Sequence, residues 1–291
     1  MEKKVKLKIL DQCFAHTFCS SWDNKSKYIE WNRDFDYQGN NDLVFFTDQN
    51  LFNFHKVRAK VKVGFLIEPS STYPYSYSFV RENYMRDGFF DYILTFDKEL
   101  IELNKNLEKD KFIYYAFGGS WIPEQDFKVY DKTKMVSIIS SGKNQTSGHR
   151  LRHSCIQYLG KSMDVMGRGY REIDSKKEGL CEYRYSVIIE NIKSNDYFSE
   201  KIVDAISCGC VVLYWGTENI GNYFDERGIL TFDTISQLKF LIDNICCEQD
   251  YLSRMPAIKH NLNECRKYRI SEDWIWENWL GGIYDDIVKD K

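Results

Sequence analysis

The chain has 291 residues, enough for two hydrophobic cores, and its 43% hydrophobic and 29% charged content excludes a disordered tail. Forty basic against forty-three acidic residues leave a net charge of -3, which excludes a general attraction to nucleic acid or anionic membrane, so any anion site must be local. Nine scattered cysteines with no C-x-x-C pattern read as reduced thiols. The opening "MEKKVKLKILDQC" has too short an apolar run for a signal peptide, and no segment approaches the ~20 apolar residues of a membrane span. A soluble, cytoplasmic protein is the expectation.

In chain order, "VKLKIL", "DLVFFTD", "VKVGFLIEP", "FDYILTFD" and "KFIYYAFGG" read as strands ending near Gly, Pro or Asp. "LFNFHKVRAK" and "DKELIELNKNLEKD" between them read as helix or loop. After the polar "WIPEQDFKVYDKTK" the pattern restarts with "MVSIISS", "SMDVMGRG", "YRYSVIIEN", "CVVLYWG" and "GILTFD". Its helical candidates are "HRLRHSCIQYLG", "SEKIVDAISCG" and "ISQLKFLIDNICCEQDYLSRM". Such alternation predicts parallel sheets with right-handed crossovers. The expected architecture is α/β, with an N-terminal domain over 1–128, a second over 129–268 and a helical tail over 269–291. Trp274, Trp276 and Trp279 would anchor that tail.

Ligands of open α/β sheets sit at the carboxyl ends of strands, so chemistry is sought there. "YSVIIENIKSNDYFSEKIVDAISCG" places Glu190 and Asn191 at such an end, with Ser199 in N-cap position before a helix closed by Gly209. Glu200 in the first turn suits the helix dipole, whereas Lys201 opposes it unless it meets an anion. A solvated turn is the alternative. In "SIISSGKNQTSGHRLRHS" a strand enters a Ser/Gly/Asn loop carrying Lys143 and then a helix bearing Arg150 and Arg152. Backbone amides of that loop and a guanidinium can hold a diphosphate, although the segment matches neither a P-loop nor a dinucleotide fingerprint and also reads as a plain connection. Glu68, at the end of "VKVGFLIE", is a candidate general base or simply a turn residue before Pro69. Asp34 and Asp36 have the D-x-D spacing but lie in a polar loop, and no metal site is expected.

Together these stretches resemble the α1,3/4-fucosyltransferases of glycosyltransferase family 10, in their soluble bacterial form. The resemblance is tightest over "YRYSVIIENIKSNDYFSEKIVDAISCGCVVLYWG", where I-E-N and Tyr197-Phe198-Ser199-Glu200-Lys201 stand for the family's F-E-N and Y-x-[ST]-E-K. It covers most of residues 42–240, tightly in the second half and loosely in the first, and the membrane anchor of animal members is not expected. The resemblance implies a GT-B fold: two Rossmann-like domains facing a central cleft, and a C-terminal helix. It implies inverting transfer of L-fucose from GDP-fucose to an oligosaccharide hydroxyl. Arg152, with Arg150 and Lys143 near it, and Lys201 would hold the pyrophosphate. Glu200 would bind ribose, Tyr197 would line the donor pocket with Ser199 beside it, and Glu190 and Asn191 would shape the sugar side. Glu68 would be the base. No cofactor would be required beyond the donor, with Mg²⁺ or Mn²⁺ as optional stimulators. A GT-B transferase of another nucleotide sugar and a non-catalytic glycan- or nucleotide-binding module are the competing readings; a nucleic-acid partner is not expected.

Overall fold

Strands apolar along their whole length, such as Leu43–Thr47 with every residue buried, need cover on both faces, and parallel sheets flanked by helices provide it. The computed structural model describes residues 4–12, 14, 17–22, 24–34, 41–116 and 118–289. It divides into two units, Met1–Phe117 with Ile270–Lys291, and Gly118–Arg269.

The first unit carries β1 (Val5–Leu10), β2 (Ile29–Asn32), β3 (Leu43–Thr47), β4 (Val61–Phe65), β5 (Tyr92–Thr95) and β6 (Phe112–Tyr114), with α1 (Pro74–Asn83) and α2 (Lys98–Glu102). The strands pair in parallel in the order β2-β1-β3-β4-β5-β6. The short β2 and the Pro-initiated α1 have no counterpart in the sequence reading. Of the stretch 97–110, expected as helix or loop, only Lys98–Glu102 is α-helical: Asp97 caps it, and after Glu102 the chain tightens into a short turn.

The second unit carries β7 (Lys134–Ile139), α3 (Ser147–Leu159), β8 (Asp164–Met166), β9 (Tyr183–Ile189), α4 (Glu200–Ser207), β10 (Val211–Trp215), β11 (Ile229–Thr231), α5 (Ile235–Asn244), α6 (Glu248–Ser253) and α7 (Met255–Glu264). Each strand expected there is present, and the long helix of the sequence reading is two, broken where Cys247 turns extended and caps α6. Gly209 ends α4 at φ 74°, a left-handed cap that costs glycine no Cβ clash. The tail forms α8 (Ser271–Ile275) and α9 (Gly281–Lys289) and belongs to the first unit, not to a separate one. Its Trp274, Trp276 and Trp279 pack on the core around Phe45 and Phe65, and buried Glu272 accepts from Ser20 and from the Trp31 indole at 2.6 Å. Residues 118–128 cluster with the second unit, because Ser120 and Trp121 bond to Asp204 of α4.

In the second sheet the order is β11-β10-β9-β7-β8, all parallel. The chain leaves β7 toward β8 on one side and β9 toward β10 on the other. The carboxyl ends of β7 and β9 therefore form a switch point, the place where open α/β sheets bind ligands. Both α3 and α4 begin there. Among the described residues no helix is long and apolar enough to cross a membrane.

Candidate functional site

Beyond β9 the backbone of Glu190 still bonds to Trp215, and its side chain turns inward with no exposure. One Glu190 oxygen accepts from the Ser199 amide at 3.0 Å and the other from the Ser199 hydroxyl at 2.6 Å. Burial pushes this carboxyl above its usual range, and Lys201 opposes that shift. Anything Glu190 contributes to a ligand therefore passes through Ser199 and Lys201. Ser199 in turn caps α4 by accepting from the Lys201 amide. The Lys201 ammonium lies 3.0 Å from the Ser199 hydroxyl, 3.3 Å from Glu200 and 3.8 Å from Glu190. Burial alone would raise the Glu200 carboxyl, but Lys201 and Lys176 pull it down to about 2. The acid and lysine at the helix start thus form an ion-paired cluster at the end of β9.

The second helix start meets the same place. The Gly148 amide donates to the Asn191 carbonyl at 3.0 Å, and a Cβ on Gly148 would stand 1.7 Å from the Glu190 carbonyl oxygen, so only glycine allows this approach. One turn on, Arg152 is buried and donates to the Asn191 side-chain oxygen at 2.8 Å. Its Nε has no hydrogen-bond partner. A buried guanidinium bonded to a neutral amide, with an unused N–H, has a donor it can offer to an anion. Arg150 and Lys143 are exposed, and Arg150 reaches back to the Gln145 carbonyl at 3.1 Å. Tyr197 is buried. Asn191, Ser199, Glu200, Lys201, Glu190 and Arg152 are thus brought together, while Arg150 and Lys143 stand on the open side of the loop.

Thr146 and His149 cap α3 reciprocally. His149 donates its backbone amide to the Thr146 hydroxyl, and its Nδ1 accepts from the Thr146 amide, both at 3.2 Å. That geometry needs an unprotonated Nδ1. Burial, then the charges of Arg152, Lys143 and Lys201, lower the imidazole from 6.5 to about 4. Because the folded value is the lower one, the unfolded chain binds the extra proton, and stability is lost as pH falls from 6.5 to about 4. His149→Gln is expected to flatten the melting-temperature profile across that interval; a profile that keeps its slope in the variant would contradict this.

Three features were not read from the sequence. Lys176 bonds Asp204 at 2.6 Å and lies 3.6 Å from Glu200. Asp196 sits at φ 59° and is buried. Its amide donates to Thr217 and its carboxylate accepts from Tyr223 at 2.7 Å, so it fastens the loop before α4. In the first unit, Asp48 follows β3 at φ 39°, is buried, and accepts from the amides of Ile67 at 2.9 Å and Glu68 at 3.3 Å. A left-handed, buried aspartate is a costly conformation held by its surroundings. Here it sets the backbone at Glu68, whose half-buried side chain follows the end of β4, while the Glu68 carbonyl accepts from Tyr77 at 3.0 Å. Of the D-x-D pair, Asp36 lies outside the described residues.

No family model matches the chain. A stretch of 77 residues is 27% identical to the α-(1,3)-fucosyltransferase of Helicobacter pylori, spanning 26% of this chain and only 16% of that protein. Among solved structures, an α1,3-fucosyltransferase with GDP matches at TM-score 0.53 and 16% identity over 92% of this chain and 91% of its own. The chain has the GT-B fold. A complex of an α1,3-fucosyltransferase with GDP-fucose agrees at TM-score 0.50, 16% identity and coverage of 91% and 90%. The same fold is found in the sucrose-phosphate synthase of Thermosynechococcus elongatus, at TM-score 0.58, 9% identity and coverage of 86% and 74%. The relatives are glycosyltransferases, and because the fold serves several of them, donor choice falls to side chains.

Proposed function

We propose that the chain is an inverting glycosyltransferase that moves L-fucose from GDP-fucose to an oligosaccharide hydroxyl, in α1,3 linkage. The observation that carries this reading is the convergence of Arg152 and Lys201, from two helix starts, on the end of β9. The Glu190-Asn191 and Tyr197-to-Lys201 runs that hold them there resemble the motifs of the fucosyltransferase family. Arg152, Lys201 and the first turn of α4 bind the diphosphate, and Glu200 accepts from the ribose hydroxyls. The acceptor oxygen attacks the anomeric carbon from the face opposite GDP. The bond to the β-phosphate oxygen breaks, its electron pair leaves with GDP, and Glu68 takes the acceptor's proton. Charge that develops on GDP is met by groups already in place, so little reorganisation is needed at the barrier.

The first experiment is thermal. GDP at ~100 times its dissociation constant adds about 2.7 kcal/mol of stability, a readable shift in melting temperature. GDP and GDP-fucose are expected to shift it, and UDP is not. A shift with UDP alone would move the donor to another nucleotide sugar, and no shift with either nucleotide would favour a module without this activity.

A further inference from the structure

Glu200, Lys201 and Asp204 share the first turns of α4, and Lys176 reaches them from the turn after Ser175. Charges alternate along the row: Asp204 to Lys176 at 2.6 Å, Lys176 to Glu200 at 3.6 Å, Glu200 to Lys201 at 3.3 Å and Lys201 to Glu190 at 3.8 Å. Lys176 is closely held. Its ammonium stands 5.0 Å from the centre of the Trp121 ring, and Asp204 also accepts from the Trp121 amide at 2.7 Å and the Ser120 hydroxyl at 2.8 Å. The turn that bears it is fixed by a reciprocal cap between Ser175 and Glu178. Burial alone would lower the Lys176 ammonium, and Asp204 and Glu200 more than reverse this, so it stays charged.

One Glu200 oxygen is thus shared by two lysines that face different demands. A diphosphate competes with Glu200 for Lys201. Deprived of that partner, Glu200 would stand four residues from buried Asp204 on one helix face, where two like charges repel. Without Lys176 beside it as well, it would bind a proton more readily and lose acceptor capacity. Lys176 is engaged instead by Asp204 and the Trp121 ring.

We propose that Lys176 is a positioning residue for Glu200, keeping its carboxylate ionised and placed to accept from the donor's ribose hydroxyls while Lys201 serves the diphosphate. This rests on the reading of the site as one for a nucleoside diphosphate. The test compares dissociation constants of GDP, 2′,3′-dideoxy-GDP and inorganic pyrophosphate by calorimetry, for the wild type, Lys176→Gln and Lys176→Arg. The wild type is expected to prefer GDP over the dideoxy form by roughly tenfold, the scale of a hydrogen bond to a charged group. In Lys176→Gln that preference collapses while pyrophosphate affinity holds within about twofold, and Lys176→Arg restores it. Should Lys176→Gln fail to fold, Lys176→Met, an uncharged side chain of similar length beside the Trp121 ring, is expected to show the same collapse.

Four results overturn the proposal. A preference kept in the Gln variant means Lys176 does not act on Glu200. Equal weakening of all three ligands assigns it to folding only. A wild type that binds GDP and dideoxy-GDP alike leaves Glu200 no ribose to hold, though the diphosphate reading survives. Binding of none of the three fails the proposed function as well.

Discussion

Lys201→Ala is expected to weaken GDP binding by roughly 10- to 150-fold, the equivalent of the ~1.5–3 kcal/mol that a hydrogen bond to a charged group contributes. Turnover should fall further than binding. Lys201 sits at the first turn of α4, where the proposed reading has charge grow on the leaving diphosphate, and such groups act more strongly on the transition state than on the ground state. The substitution also deprives Glu190 of a cation that favours its charged form. Part of any loss could then come from folding, and melting temperature without ligand separates the two. Glu200 retains Lys176 at 3.6 Å, and Glu190 retains both Ser199 bonds, so the fold should survive. Measurement of GDP affinity and of donor consumption on the same preparation checks this. An alanine variant that binds GDP like the parent would remove Lys201 from the diphosphate site.

Glu68→Gln should produce the opposite pattern. Gln keeps the shape of the side chain and loses only the ability to take a proton. General-base assistance contributes ~10²–10⁴-fold, so the rate should drop by that order with GDP affinity nearly unchanged. The backbone around the substitution is protected, since Asp48 holds the amides of residues 67 and 68 and Tyr77 donates to the Glu68 carbonyl. Loss of rate without loss of melting temperature is therefore the expected signature. A Gln variant with parental turnover would rule Glu68 out as the base.

How much of this was legible in the sequence depends on distance along the chain. The acid–lysine pair of residues 200 and 201 could be read because a lysine in the first turn opposes the helix dipole, and local chemistry alone raises the question. Arg152 could be read from the Ser/Gly-rich loop before it. The strands of the second unit were legible because each is a run of apolar residues closed by Gly, Asn or Asp. Lys176 was not, since "DSKKEG" is an ordinary charged turn until the fold brings it to Glu200 and Asp204. One local sign did exist: Asp204 stands among buried apolar residues in "EKIVDAIS", and a buried acid needs a partner. Asp48 and Asp196 were invisible for another reason. Their left-handed backbones are imposed by tertiary bonds, and neither carries the glycine that normally advertises such a turn. The strand β2 has four residues, too few for periodicity to separate it from loop.

Donor consumption by the purified protein decides most directly whether this fold handles GDP-fucose. Release of nucleoside diphosphate would be followed for GDP-fucose, GDP-mannose and UDP-glucose at equal concentration, with a mixed oligosaccharide acceptor pool present. GDP release from GDP-fucose, well above that from the other two and abolished in Lys201→Ala, is the expected result. Release of UDP from UDP-glucose, with GDP-fucose left intact, would contradict it.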